Sequence, residues 1–135
     1  MTTPHRIVNP PELPAPAGFS HAVAAAPGTT VHLGGQAGHD AEGRIVDGGL
    51  VAQFDRAAAN VVTALAAAGG RPEDLVSMQI YVTDAAVYRA VAKEIGVAYR
   101  SHFGRHYPAA ALFEVPALFD PAALVELVCT AVIPD

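Results

Sequence analysis

The feature that most constrains the fold is the extended segment 124–132, whose two alternating faces are both rich in apolar side chains. Side chains on a β-strand point alternately to opposite faces, so such a strand must be covered on both sides. Two helices of ordinary length can cover only one face of a sheet with four or more strands. The second face therefore predicts self-association, for which closed cyclic symmetry is the usual arrangement.

Upstream, a first helix is predicted over residues 50–68, where apolar residues recur at spacings of three and four. Asp47 can cap its start, and Gly69 can end it. Residues 75–82 then alternate between apolar and polar side chains, which predicts a strand.

A second helix is predicted after Asp84, which is placed to act as its N-cap. An apolar stripe at helical spacing continues from Val87 to His102, and Gly104 ends it. Residues 109–115 follow as another extended run.

The N-terminal part predicts a β-hairpin, since the strand-like runs 19–26 and 30–34 flank the turn signal Pro27-Gly28-Thr29. Residues 35–49 hold five glycines and predict a loop. The predicted order is β-β-α-β-α-β-β. This is an α+β fold in one domain, residues 1–135, with both helices on one face of the sheet.

Charge and composition narrow the possible partners. The formal net charge of −5 repels phosphate backbones and anionic bilayers, so neither nucleic acid nor a membrane is expected as a partner. No segment approaches the roughly 18 consecutive apolar residues of a membrane span. With the single Cys129 and no signal peptide, a cytoplasmic protein is expected.

Glu126 is the residue most suggestive of chemistry. A carboxylate in the middle of an apolar strand must be paired, hydrogen-bonded or protonated, and it is then suited to act as a general acid or base. The alternative is an ordinary glutamate at a wet interface or a strand end. The sequence alone leaves both interpretations open.

Other chemistries find little support. His102 and His106 are spaced like a metal-ligand pair, but Gly104 interrupts the helix that would align them and no third ligand stands out, so no metal is expected. Cys129 has no basic neighbour in sequence and predicts a buried, inert thiol. No nucleophile elbow, P-loop or dinucleotide motif is present, so no organic cofactor is expected.

Four segments together resemble the Rid (reactive intermediate deaminase, or YjgF) family over residues 9–132. The segment Phe19-Ser-His-Ala-Val23 is similar to the family's "YSQAV" strand, and Val31-His-Leu-Gly-Gly-Gln36 is similar to its "V-x-x-SGQ" strand. The segment Ile80-Tyr-Val-Thr-Asp84 is similar to "VYVTD", and Leu124-Val-Glu-Leu127 is similar to "VEI".

The resemblance implies a chorismate-mutase-like α+β fold that assembles into a homotrimer. The sheets would pack in a central barrel, with the helices outside and a small-molecule ligand in each cleft between subunits. Family members that hold the family's arginine hydrolyse reactive enamines and imines, such as 2-aminoacrylate, to 2-keto acids and ammonia. They use neither a metal nor an organic cofactor.

This chain departs from the family at the arginine, which follows a Pro-Ala dipeptide in its relatives. Here Pro108 and Ala109 are followed by Ala110. Alanine cannot make the arginine's bidentate contact to a substrate carboxylate, and the loss of such a contact costs several kcal/mol. Glu126 matches the carboxylate that places the water in the family. The other departures are Phe19 for the tyrosine, Gly34 for the serine of SGQ, and Leu112 for a small residue after the arginine.

Two hypotheses follow. In the first, the chain hydrolyses an imine or enamine less anionic than 2-aminoacrylate, in a cleft closed by Gly35 and Gln36 with Glu126 as the acid-base group. Phe19, Leu112 and Phe113 would line that cleft, and Arg105 is a candidate replacement for the missing cation. In the second, the chain is a non-catalytic small-molecule-binding or protein-interaction trimer.

Overall fold

The computed structural model describes residues 2–135, and within them it contains seven strands and three helices. The strands are β1 (Arg6–Val8), β2 (Ala22–Ala24), β3 (Gly28–His32), β4 (Gln36–Ala37), β5 (Leu75–Val82), β6 (Ala109–Glu114) and β7 (Val125–Pro134). The helices are α1 (Gly49–Ala67), α2 (Ala85–Ala90) and α3 (Ala92–Phe103). The predicted α+β class is confirmed.

The main sheet is built around β7. It has the strand order β3-β7-β5-β6. β3 and β4 pair with the same edge of β7, β3 at residues 130–134 and β4 at residues 126–127. β5 and β7 are antiparallel, whereas β5 and β6 are parallel. β1 and β2 form a separate two-stranded sheet.

The predicted one-sided helix layer is present, because α1 and α3 share one buried core with a single face of the sheet. Burial alternates along β7, as the period of a strand requires. We call the two sides the helix-covered face and the open face. On β7 the helix-covered face carries Val125, Leu127, Cys129 and Ala131, and the open face carries Glu126, Val128 and Thr130.

Helix α1 follows the predicted apolar stripe, with Phe54, Val61 and Leu65 fully buried. The prediction that Asp47 caps it is wrong. The N-cap is Gly48, which has a φ of 111° and makes no side-chain cap hydrogen bond, so Asp47 lies one residue too early. The predicted end is confirmed by the left-handed Gly69, with a φ of 89°.

The second predicted helix is divided in two. Asp84 is the N-cap as predicted, because its carboxylate accepts a hydrogen bond from the Val87 backbone N–H at 3.1 Å. The chain leaves helical geometry at Val91, which separates α2 from α3, so the continuous helix was wrong. Ile95 and Val91 both pack on the core, so the apolar stripe continues through the break and conceals it.

The predicted N-terminal hairpin is also wrong. β2 pairs with β1, with Ile7 opposite Val23, and the proline-rich start therefore contributes a strand that was not predicted. β3 pairs instead with the C-terminal strand, with Thr30 opposite Val132. The turn at Pro27 carries the chain from one sheet to the other, and a local turn signal cannot distinguish this from a hairpin. Within residues 2–135, no helix combines the length and apolarity needed to cross a bilayer.

Candidate functional site

Glu126 lies half-buried on the open face, where β7 is paired with β5 on one side and β4 on the other. The backbone of Gly35 lies against its carboxylate, since a Cβ built on Gly35 would stand 2.9 Å from Glu126 Cδ. Any larger residue at position 35 would displace the carboxylate. Within residues 2–135, the Glu126 side chain makes no hydrogen bond or ion pair, which leaves its carboxylate oxygens free to accept from a water or a ligand.

Other predicted residues accompany Glu126 on this face. Gly34 and Gly35 are exposed, and the Gln36 side-chain amide donates to the Gly34 carbonyl at 3.3 Å. Tyr81 is directly opposite Glu126, and its ring stacks on that of Phe113 with centroids 5.5 Å apart. We call the group Gly34, Gly35, Tyr81, Phe113 and Glu126 the open-face half-site, whereas Gln36 is opposite Leu127 and belongs to the helix-covered face.

A groove of about 380 Å³ lies on the other side of the sheet edge, between α3 and β6. We call it the helix-side groove. It contains three of the predicted site residues, Phe19, Ala110 and Leu112. Its volume is within the range of small-molecule sites, and most of its lining side chains are apolar or aromatic.

Phe19 reaches this groove because Ser20 joins the N-terminal segment to the start of β6. The Ser20 backbone N–H donates to the Pro108 carbonyl at 3.1 Å, and its hydroxyl donates to the Tyr107 carbonyl at 2.6 Å. Ser20 is itself buried and forms an isolated parallel bridge with Ala109. The ring of Phe19 is therefore held beside the edge strand.

Two tyrosines give the groove a rigid aromatic wall. The rings of Tyr99 and Tyr107 are stacked with centroids 5.3 Å apart and planes 10° from parallel. The Tyr99 hydroxyl donates to the His106 carbonyl at 2.7 Å. Burial raises the pKa of Tyr99, with a contribution from the nearby Tyr107, so the hydroxyl stays protonated and keeps this hydrogen bond at neutral pH.

The structure also brings a cation into the helix-side groove that the sequence prediction did not assign to the site. Arg100 of α3 lines the groove together with Ala110. The predicted substitute, Arg105, instead lines a second groove with Phe103 and His106, and its role in substrate binding stays a prediction. The sequence signal that could have drawn attention to Arg100 was Gly96, which lies one helical turn before it.

Apart from Arg105, the predicted site residues therefore form two groups, not one cleft within the chain. Ala110 is opposite Met78, which is opposite Cys129, and these positions belong to the helix-covered face. Glu126 lies on the open face. Leu112 and Phe113 are consecutive in β6 and must point to opposite faces, so a single chain cannot place both in the same cleft.

The two histidines considered as metal ligands have separate partners. His102 Nε2 lies 2.8 Å from an Asp55 carboxylate oxygen, whereas the buried His106 Nε2 lies 2.7 Å from the Leu75 carbonyl oxygen. In the part of the chain that the structure describes, no three His, Cys, Asp or Glu side chains converge on a common point. Both imidazoles contribute to packing between elements.

Cys129 is expected to be unreactive in the folded protein. Burial raises its thiol pKa to about 12, so almost no thiolate exists at neutral pH. We expect modification by a thiol reagent at pH 8 to be at least about a hundredfold slower than in the protein unfolded by denaturant. The absorbance of the chromophore that the thiol reagent releases measures both rates. Equal rates in the two states would contradict the buried position of this thiol.

A five-stranded sheet with helices on one face and a bare second face places the chain among the chorismate-mutase-like α+β proteins. A family model described as "Endoribonuclease L-PSP" matches residues 11–133. The chain belongs to this family, the Rid or YjgF family, as its motifs predicted.

Individual relatives agree with this assignment. A 2-iminobutanoate/2-iminopropanoate deaminase from Capra hircus is 32% identical over 115 residues, which is 84% of this chain and 80% of that protein. The crystal structure of the Rid-family protein YyfB from Yersinia pestis, of unknown function, is 35% identical with a TM-score of 0.82, covering 96% and 98% of the two chains. RidA from an Antarctic Psychrobacter is 27% identical with a TM-score of 0.68, covering 95% and 99%. A family-level role in imine deamination is thus supported.

Proposed function

We propose that the chain is a cofactor-free hydrolase that converts an imine or enamine to a carbonyl compound and ammonia. We further propose that its substrate differs from that of relatives with the family's arginine. The observation that carries the proposal is the free carboxylate of Glu126 against the backbone of Gly35. A half-buried carboxylate without a protein partner is able to hold a water molecule and take its proton.

The proposed reaction needs only this acid-base group. Water adds to the imine carbon as Glu126 accepts one of its protons, which gives a tetrahedral carbinolamine. The protonated Glu126 gives this proton to the nitrogen, and Glu126 then carries the hydroxyl proton of the carbinolamine to the nitrogen as the carbon–nitrogen bond breaks and the carbonyl forms. The products are a carbonyl compound and ammonia, with no change in oxidation state. An enamine enters the same route after protonation at carbon.

We propose a homotrimer, with the substrate bound in a cleft between subunits. The open-face half-site holds the carboxylate of Glu126, and this carboxylate is not among the residues that line the helix-side groove. A second subunit could place the groove of one chain against Glu126 of its neighbour. The bare open face, with Phe113 46% exposed, supports such an association.

The lining of the helix-side groove supports a change of substrate. Ala110 and Leu112 occupy the positions that the family resemblance predicts for the arginine and a small residue, and aromatic rings form the opposite wall. We therefore expect a substrate with a larger apolar substituent than 2-aminoacrylate. The net charge of −5 disfavours a nucleic-acid substrate.

The decisive test is Glu126→Gln, with imines formed in situ from a small and an aromatic amino acid by an amino-acid oxidase, which supplies the two-electron oxidation with oxygen. Carbonyl product and ammonia are followed over the uncatalysed background. We expect the wild-type protein to favour the aromatic imine and Glu126→Gln to lower kcat/KM about a hundredfold, because general acid-base catalysis is lost.

The matched control is Glu12→Gln, an exposed glutamate outside both groups of site residues, which should leave the rate unchanged. If Glu126→Gln also leaves turnover unchanged, the proposed mechanism is wrong. If the wild-type protein shows no turnover of either imine, the alternative of a non-catalytic binding trimer is favoured. That alternative is consistent with the lack of a hydroxyl at Gly34 and of a guanidinium at Ala110.

A further inference from the structure

We propose that Arg100, presented from helix α3, is the residue that binds the carboxylate of a ligand in the helix-side groove. The ligand class is a small carboxylic acid with an aromatic or branched apolar substituent. The inference rests on the proposed function only for its place in a reaction. The binding site itself is argued from the contacts of one chain.

The charge distribution of the groove supports this role. Arg100 is the single charged residue among those that line it, and no acidic side chain is present there. Within residues 2–135, the Arg100 guanidinium makes no hydrogen bond or ion pair. Its five N–H donors are therefore available, and a planar guanidinium matches the two oxygens of a carboxylate.

The position of the guanidinium depends on Gly96. A Cβ at position 96 would lie 3.1 Å from Arg100 Nη1 and 3.9 Å from Cζ, so the guanidinium lies directly over the glycine one turn earlier. Glycine within a helix is unfavourable compared with alanine. The structure offers a reason for it here, since a side chain at 96 would crowd the guanidinium where it lines the groove.

The remaining walls define the rest of the ligand. Ala110 and Leu112 form one side and the stacked pair Tyr99–Tyr107 forms the other, so the groove accepts an apolar body beside the guanidinium. Because the guanidinium is on α3 and the apolar residues are on β6, the groove favours an elongated ligand. Its carboxylate points to the helix and its apolar substituent points to the strand.

The test measures binding without turnover, by calorimetric titration of two probes with the same apolar body. The probes are 3-phenylpropanoate and 3-phenylpropanamide. We expect the wild-type protein to bind the carboxylate more tightly, and Arg100→Gln to raise its Kd at least about tenfold because a charge-assisted hydrogen bond is lost. The Kd of the uncharged amide should change less than about twofold.

Two matched arginine variants complete the design. Arg105→Gln removes the guanidinium of the second groove, and Arg89→Gln removes an exposed one on α2. Both should keep the wild-type Kd for the carboxylate. The proposal is overturned if Arg100→Gln binds the carboxylate as well as wild type, if Arg105→Gln carries the loss instead, or if neither probe binds at millimolar concentration. None of these results depends on hydrolysis by Glu126, so the two proposals fail separately.

Discussion

Truncation of Phe54 to alanine is expected to lower the free energy of unfolding by about 3–5 kcal/mol. Phe54 is fully buried at the centre of the core between α1 and the sheet, and its ring contacts Tyr88 edge-on with centroids 6.5 Å apart. Removing the ring leaves a cavity that a close-packed interior fills only in part. Chemical denaturation followed by far-UV circular dichroism, at one fixed protein concentration, measures the change.

The chain offers a matched control in Phe119, whose side chain is 102% exposed. Phe119→Ala removes the same ring from water and should change the unfolding free energy by less than about 0.5 kcal/mol. A loss below about 1 kcal/mol in Phe54→Ala would show that the core is not packed around this ring. Fixed concentration matters because association adds to apparent stability.

Substitution of Val128 by glutamate is expected to convert the proposed trimer into monomers. Val128 lies on the open face, one strand period from Glu126. Three-fold association would bury three added carboxylates close to one another, and each buried unpaired charge costs several kcal/mol. Because position 128 faces away from the core, the single chain should keep its fold. Sedimentation velocity reports the mass, and circular dichroism reports the fold.

The control is Val97→Glu, which adds the same charge on the exposed side of α3, where Val97 is 58% exposed. This variant should sediment like the wild-type protein. A Val128→Glu protein that still sediments as the wild-type assembly would rule out association through the open face. Wild-type protein that is monomeric at tens of micromolar would rule out the trimer itself.

The proposed role of Arg100 changes which substrates this chain is expected to bind. In this chain β6 has an apolar residue, Ala110, at the position that the family resemblance predicts for the arginine, and Arg100 lines the same groove from helix α3. Carboxylate recognition and a larger apolar pocket are then compatible. The expectation that the substrate must be less anionic than 2-aminoacrylate therefore no longer follows from Ala110 alone, because a second guanidinium lines the groove.

The sequence by itself determined much of this protein, because periodicity and capping are local signals. The strand 75–82, the glycine ends of the helices at Gly69 and Gly104, and the cap at Asp84 follow from neighbouring residues. The apolar character of both faces of β7 predicted that both need cover, and the helices of this chain cover one of them. The motifs were sufficient to indicate the family.

Tertiary structure alone decided which segments meet. The pairing of β1 with β2 and of β3 with β7 depends on contacts between residues far apart in sequence, which a turn signal at Pro27 does not specify. The same is true of the site: Arg100 of α3 and Ala110 of β6 line the same groove, whereas Glu126 lies on the opposite face of the sheet. Spacing along the chain does not encode the placement of Arg100 or of Glu126 relative to Ala110, because each placement arises from the packing of helices on a sheet.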